Sequence, residues 1–258
     1  MKIAIALAIA TLAAGTAFAD TRGDEIARKY YGLAKADDTT TPAVMTIIDK
    51  SGVKKTRRLN IFYRETSEGK DAFMEFVEPA DVAGTKFLTL SHRGSDSEQR
   101  LYLPALKKTR KISSSGKDGE FVNSDLFYYD LEDKVFSDYS YTFIADDLTI
   151  PDKAFDGMKF SKIEMKPAKS SSPYAKEIAY ANQADGFFYK IECYDKKDGS
   201  LLKTILFVKV QELQGVLVPV QTLVANNKKG SKTLLVLTAP KLNTGVAAET
   251  FSVKKLEE

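Results

Sequence analysis

The sequence predicts a mainly β protein organised around an antiparallel meander, and three observations carry that expectation. Short runs rich in Phe, Leu, Val, Thr and Tyr recur through the 258 residues, separated by turns containing Pro, Gly or Asp. A single stretch, Asp24 to Ala36, repeats its apolar residues at helical spacing. Several runs carry apolar side chains on both faces, so the sheet needs apolar cover on both sides. Two arrangements satisfy that need: a core on each face, or a strongly curved sheet whose concave side receives a helix or a ligand.

At the N-terminus, Lys2 precedes an apolar run from Ile3 to Ala14, and Ala17-Phe18-Ala19 supplies the small residues expected before a cut. This pattern predicts a secretory signal peptide over residues 1–19 and an exported, soluble domain over residues 20–258. The apolar run is shorter than the ~20 residues that span a bilayer. No Cys stands beside the cut to receive lipid. In the following helix, Ile26, Ala27, Tyr30, Tyr31 and Ala34 form the apolar face. Ala43 to Asp49 and Val53 to Thr66 read as strands. In the second, Arg57, Leu59, Ile61 and Tyr63 share one face, while Arg58, Asn60, Phe62 and Arg64 share the other. These arginines are expected at the periphery; one turned inward would need a backbone carbonyl or a lipid headgroup as partner.

The central meander runs from Phe73 to Ile112, with strands near Phe73 to Val77, Thr85 to Ser91, Gln99 to Leu103 and Thr109 to Ile112. Pro79 ends the first because it offers no amide to a ladder, Gly84 suits a tight reversal, and Pro104 closes the third. Met74 and Phe76 share one face; Phe73 and Val77 share the other.

SSSGKDGEF then reads as a connection, and DLFYYDLED as a short aromatic, acidic segment. Asp125, Asp130, Glu132 and Asp133 do not match the spacing of a calcium loop, and aromatics interrupt them, so they are expected to be surface acids. Further strands are predicted at 136–145, 158–165, 175–181, 187–194, 201–210, 216–224 and 234–238, with a hairpin connection at Asp195 to Gly199. The terminal segment should pin the sheet edge through Phe251, Val253 and Leu256.

A formal charge of +3 over the whole chain gives no global field for nucleic acid. The one cysteine, Cys193, cannot form an internal disulfide, and its IECYD setting suggests a thiol packed as a hydrophobe. With His92 the one histidine, neither a His-containing triad nor a His-rich metal site can be assembled. No nucleophile elbow or phosphate-cradling Gly loop is present. No enzyme activity, cofactor or metal is therefore expected. A complete outer-membrane barrel is disfavoured by the unequal runs and the charged end KKLEE.

The segments VEPADVAGTKFLTL, QRLYLPALKKTRKI, FVNSDLFYYDLED, YDKKDGSLLKT and ETFSVKKLE resemble the family of bacterial outer-membrane lipoprotein-sorting proteins, relatives of periplasmic lipoprotein carriers. One position departs from the family pattern: Asn123 stands where a Gly usually precedes the Ser-Asp pair. The resemblance implies a curved antiparallel sheet forming an incomplete barrel, covered by helices, whose apolar interior receives lipid or lipoprotein acyl chains. It also implies a monomeric periplasmic carrier or chaperone that delivers cargo toward the outer membrane, with an inner-membrane transporter and an outer-membrane acceptor as partners. On that implication Phe73, Met74, Phe76, Val77, Leu88, Leu101, Phe136, Tyr139, Tyr141 and Phe143 are candidates to touch acyl chains. The basic run containing Lys107, Lys108, Arg110 and Lys111 is the candidate partner contact. An accessory binding module for a transporter or envelope-assembly system is the alternative.

Overall fold

In the computed structural model, residues 21–258 are described; the expected signal peptide lies outside them. The elements are α1 (Thr21–Tyr31), β1 (Asp38–Ile48), β2 (Lys54–Thr66), β3 (Gly69–Glu78), β4 (Lys86–Leu90), β5 (Glu98–Leu103), β6 (Lys108–Ile112) and β7 (Tyr139–Leu148). They continue with β8 (Phe160–Pro167), β9 (Tyr174–Asn182), β10 (Phe188–Asp195), β11 (Leu201–Leu213), β12 (Val216–Asn226), β13 (Ser231–Leu237), β14 (Lys241–Leu242) and α2 (Val253–Glu257). Each expected strand has a counterpart within a few residues; β14 was not anticipated.

The strands form one antiparallel sheet in the order β6-β5-β4-β3-β2-β1-β13-β12-β11-β10-β9-β8-β7, with β14 also paired to β1. Two meanders are thus joined along one seam, where Ala43 faces Leu237 and Ile48 faces Lys232. The expected curved sheet forming an incomplete barrel is corrected by this topology. The ladder is an open path with β6 and β7 as its two edges, neither closed into a barrel nor strongly curved. The 113–138 connection between those edges is spent on short 3-10 turns rather than on a closing strand.

Apolar residues on both faces are instead satisfied by cover on both sides. On β3, Met74 and Phe76 join a core with Phe87, Leu101, Phe121 and Leu126. Phe73, one residue away and on the opposite face, packs with Leu88, Phe251 and Leu256 beneath the C-terminal segment. That segment therefore covers a face of the sheet. Helix α1 ends at Tyr31, earlier than expected, and buries Ile26 and Ala27 against Tyr139, Tyr141, Ile163 and Met165. A Cβ on Gly23 would lie 3.0 Å from the Phe143 backbone nitrogen, so this glycine lets the helix approach β7 closely.

Gly84 has φ of +77° and donates its N–H to the Phe76 carbonyl at 2.8 Å, as the expected tight reversal requires. Arg57 departs from expectation: it is 7% exposed, and its guanidinium donates to the Val122 carbonyl. Val122 and Asn123 both adopt left-handed backbone, φ of 48° and 55°. Asn tolerates that region better than most residues, so position 123 adopts it without a glycine. For β-branched Val122 the conformation is costly, and the buried Arg57 contact helps hold it.

Candidate ligand cavity

A cavity of about 480 Å³ is lined by residues of β1 to β3 and of β9 to β13 and by two covering segments, 30–36 and 121–134. Strand alternation supplies its apolar wall: Met45, Leu59, Ile61 and Met74 from one meander, Ile205, Val224 and Leu235 from the other. Tyr30 anchors the covering segment, its ring stacked on Phe188 with centroids 3.9 Å apart. Burial pushes the Tyr30 hydroxyl up to about 12, so it stays a neutral donor.

One part of the lining is polar and buried. Glu177, from β9, accepts the Tyr139 hydroxyl at 2.9 Å. Burial raises its carboxyl to about 7, against the opposing pull of Lys134 and the Tyr139 hydrogen bond. Lys134 donates to the Tyr129 carbonyl at 3.0 Å and lies 3.3 Å from that ring's centroid. Burial lowers its ammonium, and the Glu132 carboxylate opposes the shift. The Glu132 side chain is fully buried and also pairs with buried Lys117. Lys203 pairs with Asp130 at 2.6 Å, and both side chains are buried. Burial likewise pushes the Cys193 thiol well up, as suits a thiol packed among Tyr129, Tyr174 and Leu202.

Asp125, Asp130 and Glu132 are thus not surface groups, whereas Asp133 stays half-buried and accepts the Lys70 N–H at 3.1 Å. Asp125 accepts from the Ser231 and Thr233 hydroxyls. Asp130 and Glu132 meet lysines from elsewhere in the chain rather than the basic run at Lys107 to Lys111. Unpaired, such buried charges would cost several kcal/mol each, so cation and carboxylate come as sets.

Of the acyl-contact candidates, Met74 and Tyr139 line the cavity. Phe76 and Leu101 lie in the core beside it. Tyr141, Phe136 and Phe143 pack under α1. Phe73 and Leu88 belong to the opposite face, and Val77 is exposed. Lys107, Lys108, Arg110 and Lys111 are exposed along edge strand β6 and the turn before it.

Sequence reading missed Glu177, Lys134 and Lys203. A signal existed for the first: Glu177, Ala179 and Ala181 alternate on one face of β9, and small residues around a lone acid mark a crowded inward surface. His92 is exposed in a turn. Among the described residues no group of three or more His, Cys, Asp or Glu is placed to hold a metal ion. A second depression, about 580 Å³, is walled by Ser114, Ser115, Ser170 to Ser172 and Lys196. Its hydroxyls and ammoniums make it the poorer host for an apolar ligand.

No curated protein matches this sequence. Among solved structures, a domain from Vibrio parahaemolyticus named for outer-membrane lipoprotein sorting is 28% identical, with a TM-score of 0.85 over 93% of this chain and 100% of that one. A DUF1329 family protein from Desulfovibrio piger is 24% identical, with a TM-score of 0.85 over 92% and 99% of the two chains. A LolA superfamily protein from Nitrosomonas europaea is 17% identical, with a TM-score of 0.70 over 90% and 98%. These likenesses give the chain the fold of LolA superfamily and lipoprotein-sorting domains. A family model described as "Uncharacterized protein" matches residues 68–258, and the chain belongs to that family.

Proposed function

We propose that the protein is a periplasmic carrier that reversibly sequesters the acyl chains of lipids or lipoproteins and delivers them toward the outer membrane. The observation that carries this reading is the apolar cavity of about 480 Å³ with a buried hydrogen-bonding region. Its size falls within the ~300–1,000 Å³ range of ligand pockets, and its wall offers hydrocarbon contact. Each acyl methylene transferred from water contributes about 0.8 kcal/mol, set against the cost of ordering the cover segments. No covalent step is needed. Residues 1–19 act as the export signal, and residues 20–258 work as one monomeric domain. An inner-membrane transporter would load it and an outer-membrane acceptor unload it, with the exposed cations of β6 as the contact.

Native mass spectrometry on gently purified mature protein, with displacement of an environment-sensitive acyl probe, tests the reading. Bound acyl species and competition by both a long-chain lipid and an acylated peptide are expected. Folded, delipidated protein that binds neither would sink the proposal.

A further inference from the structure

We propose that the rim of the sheet carrying the β1–β2 and β5–β6 turns docks on the anionic headgroups of a lipid bilayer. Antiparallel pairing puts the start of β2, the end of β5 and the start of β6 on the same rim. Two of the most exposed large apolar side chains sit at these turns, Val53 at 56% and Leu106 at 62%. The same local pattern surrounds each: Val53 precedes Lys54 and Lys55, and Leu106 precedes Lys107 and Lys108, all exposed.

Both tips are held in place before any partner arrives. The Asp49 carboxylate accepts the N–H groups of Ser51 at 2.8 Å and Val53 at 3.0 Å, fixing the first turn. In the second, Pro104 constrains the chain, and left-handed Lys107 donates its N–H to the Pro104 carbonyl at 3.1 Å. Among the described residues these four lysines stand outside the ion pairs. Nearby Arg58 and Lys111 are matched to Glu78 at 3.1 Å and Glu98 at 3.6 Å. The β12–β13 turn abuts Lys50 and brings exposed Lys232 to the same rim.

Lysines on edge strand β6 alone would serve to block strand addition. β2, however, is an interior strand, so edge protection does not account for Val53, Lys54 and Lys55. The two tips are four ladder steps apart, roughly 19 Å at ~4.8 Å per strand. A protein partner of high affinity needs a contiguous desolvated patch. A headgroup layer accepts separated apolar tips while flanking ammoniums reach phosphates. The polar lining residues Lys35, Glu65 and Lys70 lie toward the opposite rim, so docking and cavity occupancy can be altered separately.

The chain contains no Trp, so Leu106→Trp in the mature protein gives a single reporter. Its emission should shift to the blue with vesicles of phosphatidylcholine containing one-third phosphatidylglycerol, and stay unchanged with pure phosphatidylcholine. The shift should reverse in 1 M salt, where the screening length is about 3 Å. Each lysine among 54, 55, 107 and 108 changed to Gln should weaken sedimentation with anionic vesicles by about fivefold. Acyl-probe binding should be unaffected in the same variants, which separates this proposal from the carrier reading. An unchanged emission with anionic vesicles, an equal response to neutral ones, or unaltered affinity of the fourfold Gln variant would overturn it. A shift caused by soluble polyglutamate but not by vesicles would also overturn it, assigning the rim to an acidic protein.

Discussion

Tyr139 on edge strand β7 donates its hydroxyl at 2.9 Å to Glu177 on β9, two strands away, and both line the cavity. Burial, joined by the nearby Asp130 charge, outweighs the Lys134 and Lys203 cations and the Tyr139 hydrogen bond and raises the carboxyl to about 7.

A pH dependence with a definite sign follows. The folded protein holds the Glu177 proton up to about 7, whereas the unfolded chain releases it near 4.5. Between those values the folded state binds more protons, so this group's contribution to stability falls as pH rises from about 4.5 to 7, then levels off. The total is roughly 3 kcal/mol at about 1.4 kcal/mol per pH unit. Glu177→Gln lacks this loss. Urea unfolding at pH 5 and pH 8 should show the variant gaining on wild type at the higher pH, and a constant difference would refute the assignment.

The buried Lys203–Asp130 pair makes a second prediction. Removing one charge leaves the other buried without its partner, at a cost of about 3–5 kcal/mol. Lys203→Met and Asp130→Asn should each destabilise by that order. The double variant should cost clearly less than the sum of the two. Additive losses in the denaturation cycle would mean that the pair is not energetically coupled.

The strands were legible because their signals are local. Pro79, Gly84 and Pro104 punctuate the central meander, and each lies at a turn or its border. Apolar residues on both faces of β3 correctly demanded cover on both sides, but local alternation does not say which cover. Phe73 meets Leu256 across the whole chain length, while Met74 meets a cavity formed with the other meander. The burial of Asp130 and Glu132 was illegible for the same reason: Lys203 comes from β11 and Lys117 from an irregular turn. Arg57 was misjudged because its partner is a backbone carbonyl in left-handed Val122, which no propensity anticipates. The seam between β1 and β13 leaves an open ladder that family resemblance alone did not convey.

The C-terminal cover should matter for stability and not for the cavity. Leu256 is fully buried against Phe73 and Leu88 on the opposite face of the sheet. Leu256→Ala should cost about 2–5 kcal/mol through the lost contacts and residual void. Acyl-probe affinity, measured where the variant remains folded, should match wild type. A large affinity loss would show that the two faces are coupled.

The two faces of β3 provide the last test, because neighbouring side chains point into different surroundings. Met74 is 4% exposed and lines the cavity, whereas Val77, three residues along and on the opposite face, is 43% exposed. A lysine at position 77 keeps its ammonium in water and should leave both stability and acyl binding near wild type. At position 74 the ammonium must share the cavity with bound hydrocarbon. In the empty protein, water can solvate it, but an occupying acyl chain removes that solvation. Met74→Lys should therefore weaken acyl-probe binding by at least tenfold, equivalent to about 1.4 kcal/mol, while circular dichroism shows the sheet intact. Probe titration of the two variants side by side reads the difference. Equal affinities in folded Met74→Lys and Val77→Lys would remove Met74 from the acyl-contact set and place the ligand elsewhere.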